Sequence, residues 1–355
     1  MTNKKGKGAK KKNKSPRKGA KDPTTISKDQ WMWIAAALVI GFIALFPTLQ
    51  GEFINYDDDI YITENPYIVN FSGEQVSALF SNYYKNQYSP VAMTIMGIEY
   101  SLFSKSGPFP FKLISVLLHL LNAFLVFKLI RELFKPFMYA LITMALFAVH
   151  PMMVESIAWT TASMKVGVFT TFFLGASWTY LRYLRTEKRS MLIWTFGFFL
   201  LSCFSKEQGL ALSVVLLLYD YVKGRDLKSS AVWLEKLPFL IVSMIFGVVT
   251  LRASSEMQIA SQVLEYGIVD RVLFASYAIV AYWFKTLIPL SLTAFYTYPA
   301  GAIPTLYYLT PLVVIGLFVA LVWAFRKDHK VVVFALVFFF MNLGLTLLSQ
   351  IMATR

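Results

Sequence analysis

The run WMWIAAALVIGFIALFPTL at residues 31–49 decides what kind of protein this chain is. It contains no charged residue, and as a helix it would extend about 28 Å, close to the thickness of a bilayer's hydrocarbon core. The run is too long for a secretory signal peptide, and no small-residue cleavage site follows it. Across the 355 residues, 57% are hydrophobic and only 15% are charged, whereas soluble domains carry about 25% charged residues. We therefore predict an all-α polytopic membrane protein.

The net charge of +14 is concentrated at the N-terminus. Residues 1–30 hold eleven Lys or Arg against two Asp, which gives this segment +9. Because the tail lacks apolar residues, it is expected to be disordered. A basic tail beside a membrane span predicts cytoplasmic retention and attraction to anionic lipid rather than to nucleic acid. The single Cys203 excludes an internal disulfide.

Further apolar runs predict a multi-spanning domain over residues 31–355. They lie near residues 110–131, 137–150, 165–182, 191–204, 209–222 and 236–252, with three more near 271–289, 308–325 and 331–352. Basic residues follow the second, fourth and sixth spans, on the side that holds the basic tail, as the positive-inside rule requires. The opposite, external segments are then 50–109, 150–164, 205–208 and 253–269. Residues 271–307 break this alternation, so they are expected to be re-entrant, interfacial or a double crossing.

The long first loop, residues 50–109, is too polar to lie within lipid. Ser72-Gly73-Glu74-Gln75 has the pattern of a capping box, and apolar residues follow it at helical spacing. We predict a short amphipathic helix on the bilayer surface here. A second interfacial segment is predicted from Ser89 to Phe103.

The acidic triplet Asp57-Asp58-Asp59 follows the first predicted span. It can be a solvated turn, or a site for a hard cation such as Ca²⁺ or Mg²⁺. Alternatively, Asp57 or Asp58 accepts the proton of a hydroxyl that attacks a sugar. The position of the triplet leaves these alternatives open.

Three polar residues border the third and fourth spans. His150 precedes Pro151, a residue that ends helices, so its imidazole can simply cap the helix. The alternative is that His150 and Glu155 approach a phosphate or a sugar hydroxyl. Lys165 begins the fourth span, where its side chain either extends to the interface or contacts an anion.

Two further sites carry charge at predicted span ends. Ser205-Lys206-Glu207-Gln208-Gly209 joins two helices, and a tight turn by itself needs polar residues and a glycine. Lys206 and Glu207 nevertheless lie at the membrane edge, where a buried polar pocket would offset the cost of their charges. Arg252 lies on the side where positive residues are depleted. It either binds phosphate through its planar fork of donors or pairs with Glu256.

Three stretches resemble the membrane domain of the transmembrane and tetratricopeptide repeat-containing O-mannosyltransferases, within the membrane glycosyltransferases of the GT-C fold. They are NYDDDIYITENP (55–66), HPMMVESIAW (150–159) and SKEQGLALSVVLLLYD (205–220). The resemblance covers roughly residues 30–355. The third Asp departs from the family's carboxylate pair, and relatives often carry Gly-Arg where this chain has Ser163-Met164-Lys165. No tetratricopeptide repeat is detectable, so a fragment or a chain without a repeat-based acceptor platform is expected.

The resemblance implies a GT-C-type helical bundle that transfers a sugar, expected to be mannose, from a polyprenyl-phosphate donor to Ser or Thr of a protein with inversion. Asp57 or Asp58 would be the base, with Asp57 preferred. The donor's phosphate and sugar would be bound by His150, Glu155, Lys165, Lys206, Glu207 and Arg252. No cofactor is expected, although a divalent cation stays open. The predicted location is a bacterial inner membrane, with a cytoplasmic N-terminus and a periplasmic active site.

Two other classes of function use the same residues. A transporter or flippase would bind a lipid-linked substrate through these charges, and transporters place such charges near the midplane of broken helices. A non-catalytic assembly scaffold would tolerate the loss of Asp57, Lys206 and Arg252 together.

Overall fold

The computed structural model describes residues 25–85, 87–258, 267–293, 296, 299, 301–324 and 329–352, and these residues form an all-helical protein. Most of the basic tail lies outside them. Fifteen α-helices are described within these ranges, joined by short 3₁₀ and π turns. In chain order they are α1 Lys28–Leu45, α2 Pro66–Val69, α3 Gly73–Ser81, α4 Pro90–Phe103, α5 Phe109–Phe134, α6 Phe137–Val149, α7 Glu155–Ala158, α8 Thr160–Ala162, α9 Val168–Thr186, α10 Arg189–Ser205, α11 Leu212–Lys223, α12 Ser230–Gln258, α13 Ile268–Leu287, α14 Thr305–Ala324 and α15 His329–Met352.

Every predicted span coincides with a helix. Four described segments are long and apolar enough to cross a membrane: Lys28–Gln50, Phe109–Phe134, Ser230–Ala253 and Thr305–Ala324. A fifth is possible if α6 and the bent segment after it, at 53°, form one broken span. The chain is therefore a multi-pass membrane protein. The sidedness of the spans and the count of seven crossings before residue 253 stay predictions.

Helix α1 starts where the sequence leaves the basic tail. The Ser27 hydroxyl accepts a hydrogen bond from the Gln30 N–H, and the Gln30 side chain accepts one from the Ser27 N–H, which completes a capping box. Its buried Ile34 packs with Ala123 of α5 and Met144 of α6. Much of the remaining surface of α1 is apolar and exposed, as expected of a helix that faces lipid.

The largest core cluster lies among α5, α9, α10 and α11. It is built around fully buried aromatic residues, such as Tyr180, Phe199 and Tyr219, together with leucines and valines. Phe334 of α15 packs against Tyr219, with ring centroids 5.8 Å apart. This core holds the ends of α9, α10 and α11 in fixed relation, and those ends carry several of the predicted site residues.

The first loop differs from its prediction at Ser72. A helix does begin after this residue, but the Ser72 side chain makes no capping hydrogen bond, so the predicted capping box is wrong. Packing replaces the cap: Leu79 is buried in the cluster that includes Met93 and Met96 of α4. Phe71 also lies directly over Gly97, where a Cβ atom would meet its ring at 2.1 Å. The loop therefore folds onto α4 through apolar contact.

The C-terminal helices form their own packed group. Tyr277 of α13 stacks on Tyr307 of α14, with ring centroids 4.1 Å apart. Helix α13 is not among the candidate spans, and it carries Asp270, Arg271 and Lys285. An interfacial position for this helix, one of the three alternatives for residues 271–307, stays a prediction.

A buried ionic network joins α9, α11 and α12, and no sequence pattern predicted it. Asp220 and Lys236 are both fully buried, and the Lys236 Nζ lies 2.8 Å from the Asp220 Oδ2. Arg225 contacts Asp220 at 3.1 Å and binds both oxygens of Glu235, at 2.7 and 3.0 Å. The Tyr180 hydroxyl donates to the Asp220 Oδ1 at 2.7 Å. Two cations thus neutralise two carboxylates.

Glu99 of α4 is a buried acidic residue that the sequence patterns did not single out. The side chain is 4% exposed, and neither carboxylate oxygen has a hydrogen-bond partner among the described residues. Burial raises the pKa of this carboxyl from 4.5 to about 8. The folded protein therefore keeps a proton on Glu99 at a pH where the unfolded chain has released it.

We expect Glu99→Gln to flatten the dependence of stability on pH. Between pH 4.5 and about 8 the folded protein holds one more proton than the unfolded chain. Its stability therefore falls as the pH rises, by about 1.4 kcal/mol per unit. The variant cannot titrate, so its melting temperature in detergent should fall less between pH 5 and pH 8. Glu74→Gln, at an exposed site on α3, is the control; equal slopes for all three proteins would contradict the expectation.

Candidate active site

The acidic triplet separates into residues with different environments. Asp58 is fully buried, and its two carboxylate oxygens accept hydrogen bonds from the N–H groups of Thr161, at 2.8 Å, and Ile54, at 3.0 Å. It thereby fastens the first loop to α8. Asp57 is partly exposed, and Asp59 accepts a hydrogen bond from the adjacent Ile60 N–H at 2.8 Å. Asp58 is therefore held by backbone contacts, whereas Asp57 is partly exposed; the choice between them as the base stays a prediction.

Lys112 of α5 lies near Asp58, and the sequence patterns did not identify it as part of the site. Its side chain is 1% exposed, and its Nζ donates to the Ala158 carbonyl at 2.6 Å. Asp58 and Glu52 are its acidic neighbours, and it lines an open pocket of about 510 Å³ beside Gly51. The sequence did contain a signal for this residue. Lys112 lies two residues into a predicted span, and charges inside membrane helices are rare and seldom without a role.

Lys165 lies in a π turn, Ser163–Gly167, immediately before α9. The side chain is 5% exposed, and its Nζ donates to the Gln87 Oε1 at 2.8 Å. The same atom lies 3.0 Å from the centroid of the Tyr61 ring. Two contacts therefore join this lysine to the first loop, and Tyr61 follows Asp57 by one helical turn.

An aromatic cluster connects the first loop near Lys165 with the turn that holds Lys206. Phe204, two residues before Lys206, packs against Phe80 and Tyr88 of the first loop and Phe246 of α12, with ring centroids 5.5, 6.2 and 4.8 Å away. Tyr88 is adjacent to Gln87 in the chain. Burial and the nearby Tyr83 raise the pKa of the Tyr88 hydroxyl. The first loop, α10 and α12 thus meet around shared rings.

The Lys206 turn is tightly built. The Lys206 Nζ lies 3.9 Å from the Glu207 Oε1, and both side chains are partly exposed. Gly209 is required for the turn: a Cβ atom there would lie 2.7 Å from the Cys203 nitrogen and 2.8 Å from the Ser202 carbonyl carbon. Because these are backbone atoms, they cannot move aside as a flexible side chain can.

Gly209→Ala should destabilise the protein by about 1–3 kcal/mol, the usual cost of overpacking. Gly197→Ala is the control, because Gly197 lies on α10, the helix that leads into this turn, a Cβ atom added there meets no neighbour within 4 Å, and alanine is the better helix former. We expect a lower melting temperature in detergent for the first variant and an unchanged or higher one for the second. Equal melting temperatures would show that the turn is not constrained as described.

His150 has both ring nitrogens engaged with the backbone. Its Nδ1 accepts from the Met152 N–H at 3.3 Å, and its Nε2 contacts the Thr286 carbonyl at 2.9 Å. This favours the capping interpretation and fastens the end of α6 to the end of α13. Glu155 begins α7 and is exposed.

Arg252 is exposed near the end of α12. It lies six residues beyond Phe246, about 9 Å along the helix, and so follows the aromatic cluster along α12. The side chain of Glu256 is outside the described part of the structure, so the alternative of an ion pair stays open. No group of three or more His, Cys, Asp or Glu in the described ranges is placed to hold a metal ion.

These contacts link Asp58, Lys165 and the Lys206 turn. Asp58 bonds to Thr161, Lys165 bonds to Gln87, and Tyr88, next to Gln87, packs against Phe204, two residues before Lys206. His150, at the end of α6, contacts α13 instead, and Arg252 lies on α12 beyond the aromatic cluster. Together with the fold, this defines a class: a multi-pass, all-helical membrane protein with carboxylates and cations assembled between its first loop and its helix ends.

Comparison with known proteins finds similarity to one family of membrane enzymes. Residues 87–251 match the family model described as dolichyl-phosphate-mannose-protein mannosyltransferase. A protein O-mannosyl-transferase of Caenorhabditis elegans is 26% identical over 229 residues, which cover 59% of this chain and 31% of the relative. The chain thus spans about a third of that relative's length. No solved structure matches. The predicted resemblance to protein mannosyltransferases is confirmed, while the tetratricopeptide repeat-containing subgroup stays a prediction.

Proposed function

We propose that this protein transfers a mannosyl group from a prenyl-phosphate donor to a hydroxyl of an acceptor protein. The observation that carries the proposal is the family match over residues 87–251, because this segment contains Gln87, Lys165 and Lys206. Gln87 and Lys165 are in direct contact, and Tyr88, next to Gln87, packs against Phe204, two residues before Lys206; both contacts support the proposal.

In the proposed reaction, the acceptor oxygen attacks the anomeric carbon of the donor sugar. Asp57 takes the proton of the attacking hydroxyl as the new C–O bond forms. The bond between the anomeric carbon and the phosphate oxygen breaks, and its electron pair leaves with the prenyl phosphate. One displacement with one base inverts the configuration at the anomeric carbon. The phosphate leaves as an anion, so the reaction needs no general acid, unlike hydrolysis by carboxylate pairs.

The cations of the site would stabilise the negative charge that accumulates on the phosphate as this bond breaks. We assign this role to Lys165, Lys206 and Arg252. Glu155 and Glu207 would accept hydrogen bonds from sugar hydroxyls, since ionised carboxylates are acceptors. His150 would act near the sugar only if its backbone contacts rearrange when the donor binds.

The orientation and the cellular setting belong to the proposal as well. The site would lie on the external face, opposite the basic tail, and the prenyl chain would lie between spans. A bacterial inner membrane with a periplasmic site, a Ser or Thr acceptor and the tetratricopeptide repeat-containing subgroup are the finer assignments. They rest on the sequence resemblance.

The test uses the full chain purified in detergent, radiolabelled prenyl-phosphate mannose and an extract of secreted proteins. Label should move to protein in a hydroxyl-linked, base-releasable form. Donor that binds but is never consumed would favour the flippase alternative. No binding and no transfer would favour the scaffold.

A further inference from the structure

Two residues that the proposed reaction does not use, Gln87 and Tyr61, contact the Lys165 ammonium. A nearly buried ammonium is costly unless compensating contacts replace its water. The Gln87 Oε1, 2.8 Å from the Lys165 Nζ, supplies a hydrogen bond. The Tyr61 ring, with its centroid 3.0 Å from the same atom, supplies a cation–π contact.

Both partners are themselves held in place. The backbone N–H and carbonyl groups of Gln87 and Tyr84 bond reciprocally, each at 3.0 Å. The Tyr84 hydroxyl donates to the Ile60 carbonyl at 2.8 Å, and the Tyr84 ring packs against Tyr61 with centroids 5.6 Å apart. Tyr61 is 4% exposed. The amide and the ring are thus parts of one small, cross-bonded unit of the first loop.

The backbone next to Lys165 is also held in place by α5. The carbonyl of Gly167, at the end of the π turn, accepts a hydrogen bond from the Asn122 Nδ2 of α5 at 3.0 Å. Single π turns recur at functional sites, because the extra residue redirects the side chains that follow. The ammonium therefore has a defined location at the junction of the first loop and α9.

We propose that Gln87 and Tyr61 are positioning residues that hold the Lys165 ammonium for the phosphate of the prenyl-phosphate donor. This rests on the proposed function. Neither an amide nor an aromatic ring carries a negative charge, so these two contacts can hold the ammonium without competing as anions for it. Because ammonium has no acceptor, it fixes the Gln87 amide with its oxygen inward, and the Nε2 donors face the other way.

Gln87→Glu is the sharpest test, because it preserves the shape and the contact with Lys165 but adds one negative charge. We expect the KM for prenyl-phosphate mannose to rise about tenfold or more, with a much smaller change in kcat. Gln75→Glu, on α3 of the same loop, makes the same chemical change away from the lysine and is the control. Tyr61→Leu should also raise the KM, and Tyr61→Phe, which keeps the ring, should recover most of it.

A second measurement tests the positioning without any catalysis. A small amine-reactive ester is added to the folded protein in detergent, and acylation of Lys165 is followed by peptide mass spectrometry. The reaction should be slow in the wild type and at least severalfold faster in Gln87→Leu and Tyr61→Leu. Melting temperatures verify that these variants fold.

The outcomes separate this inference from the proposed function. If the wild type transfers no mannose, the proposed function fails, and the acylation rates alone decide whether the two residues position Lys165. If the wild type is active but Gln87→Glu leaves the donor's KM unchanged, the positioning role for donor binding is overturned. Unchanged acylation rates in both leucine variants would overturn it as well.

Discussion

Asp57→Asn should abolish most sugar transfer, with a fall in kcat of about 10²–10⁴-fold, the usual contribution of a general base. The amide cannot accept the hydroxyl proton, although it occupies nearly the same volume. Donor binding should persist, because the proposed phosphate contacts come from Lys165, Lys206 and Arg252. The measurement is single-turnover transfer from radiolabelled prenyl-phosphate mannose, beside equilibrium binding of the same donor.

Asp59→Asn is the matched control for this experiment. It neutralises a carboxylate two residues away whose Oδ1 only accepts a local hydrogen bond from Ile60, and the asparagine side chain keeps an oxygen for that bond. Activity within a few-fold of the wild type is expected. Transfer that survives in Asp57→Asn would remove Asp57 as the base, and equal losses in both variants would indicate that the total charge of the loop matters.

Lys236→Met should give the largest loss of stability, about 3–5 kcal/mol, because it removes one partner of a buried ion pair. Asp220 is fully buried 2.8 Å from the Lys236 Nζ, so its charge would lose its closest cation at a position that is closed to the surface. Arg225 and the Tyr180 hydroxyl still contact the other carboxylate oxygen, which favours the lower end of this range. Thermal unfolding in detergent measures the effect.

The double variant Asp220→Asn, Lys236→Met separates the cost of an unpaired charge from the loss of the lysine's packing. Replacing both members of a buried pair is often nearly neutral, so the double variant should recover much of the lost stability. Lys228→Met, at an exposed position in the preceding loop, controls for removal of a positive charge. A double variant as unstable as Lys236→Met alone would contradict the account of an unpaired carboxylate.

The helices were predictable because membrane spans follow from the chain alone. A helix that satisfies all its backbone hydrogen bonds internally can cross lipid wherever about twenty apolar residues occur together. The run at 31–49 and the later apolar runs therefore all became helices. Their ends were less predictable: α12 begins at Ser230 rather than near 236, and α11 begins at Leu212 after a 3₁₀ turn. Local turn geometry moves such boundaries.

The candidate site, too, was predictable only in part. Sequence patterns selected the acidic triplet, Lys165 and the Lys206 turn, since charges beside apolar runs are conspicuous. They did not separate Asp57 from Asp58, because the two differ only in what surrounds them. The N–H groups that Asp58 binds belong to Ile54 and to Thr161, more than a hundred residues later. Gln87 and Lys112 were missed for the same reason.

The order of residues alone determined that this chain is a helical membrane protein with charged groups at its helix ends, because the hydrophobic effect acts on each segment separately. Tertiary structure decided which of those groups meet, which carboxylate accepts backbone hydrogen bonds, and which cation pairs with which carboxylate in the buried network. Such choices depend on distances of about 3 Å between residues far apart in the chain, and only the packing of the helices sets those distances.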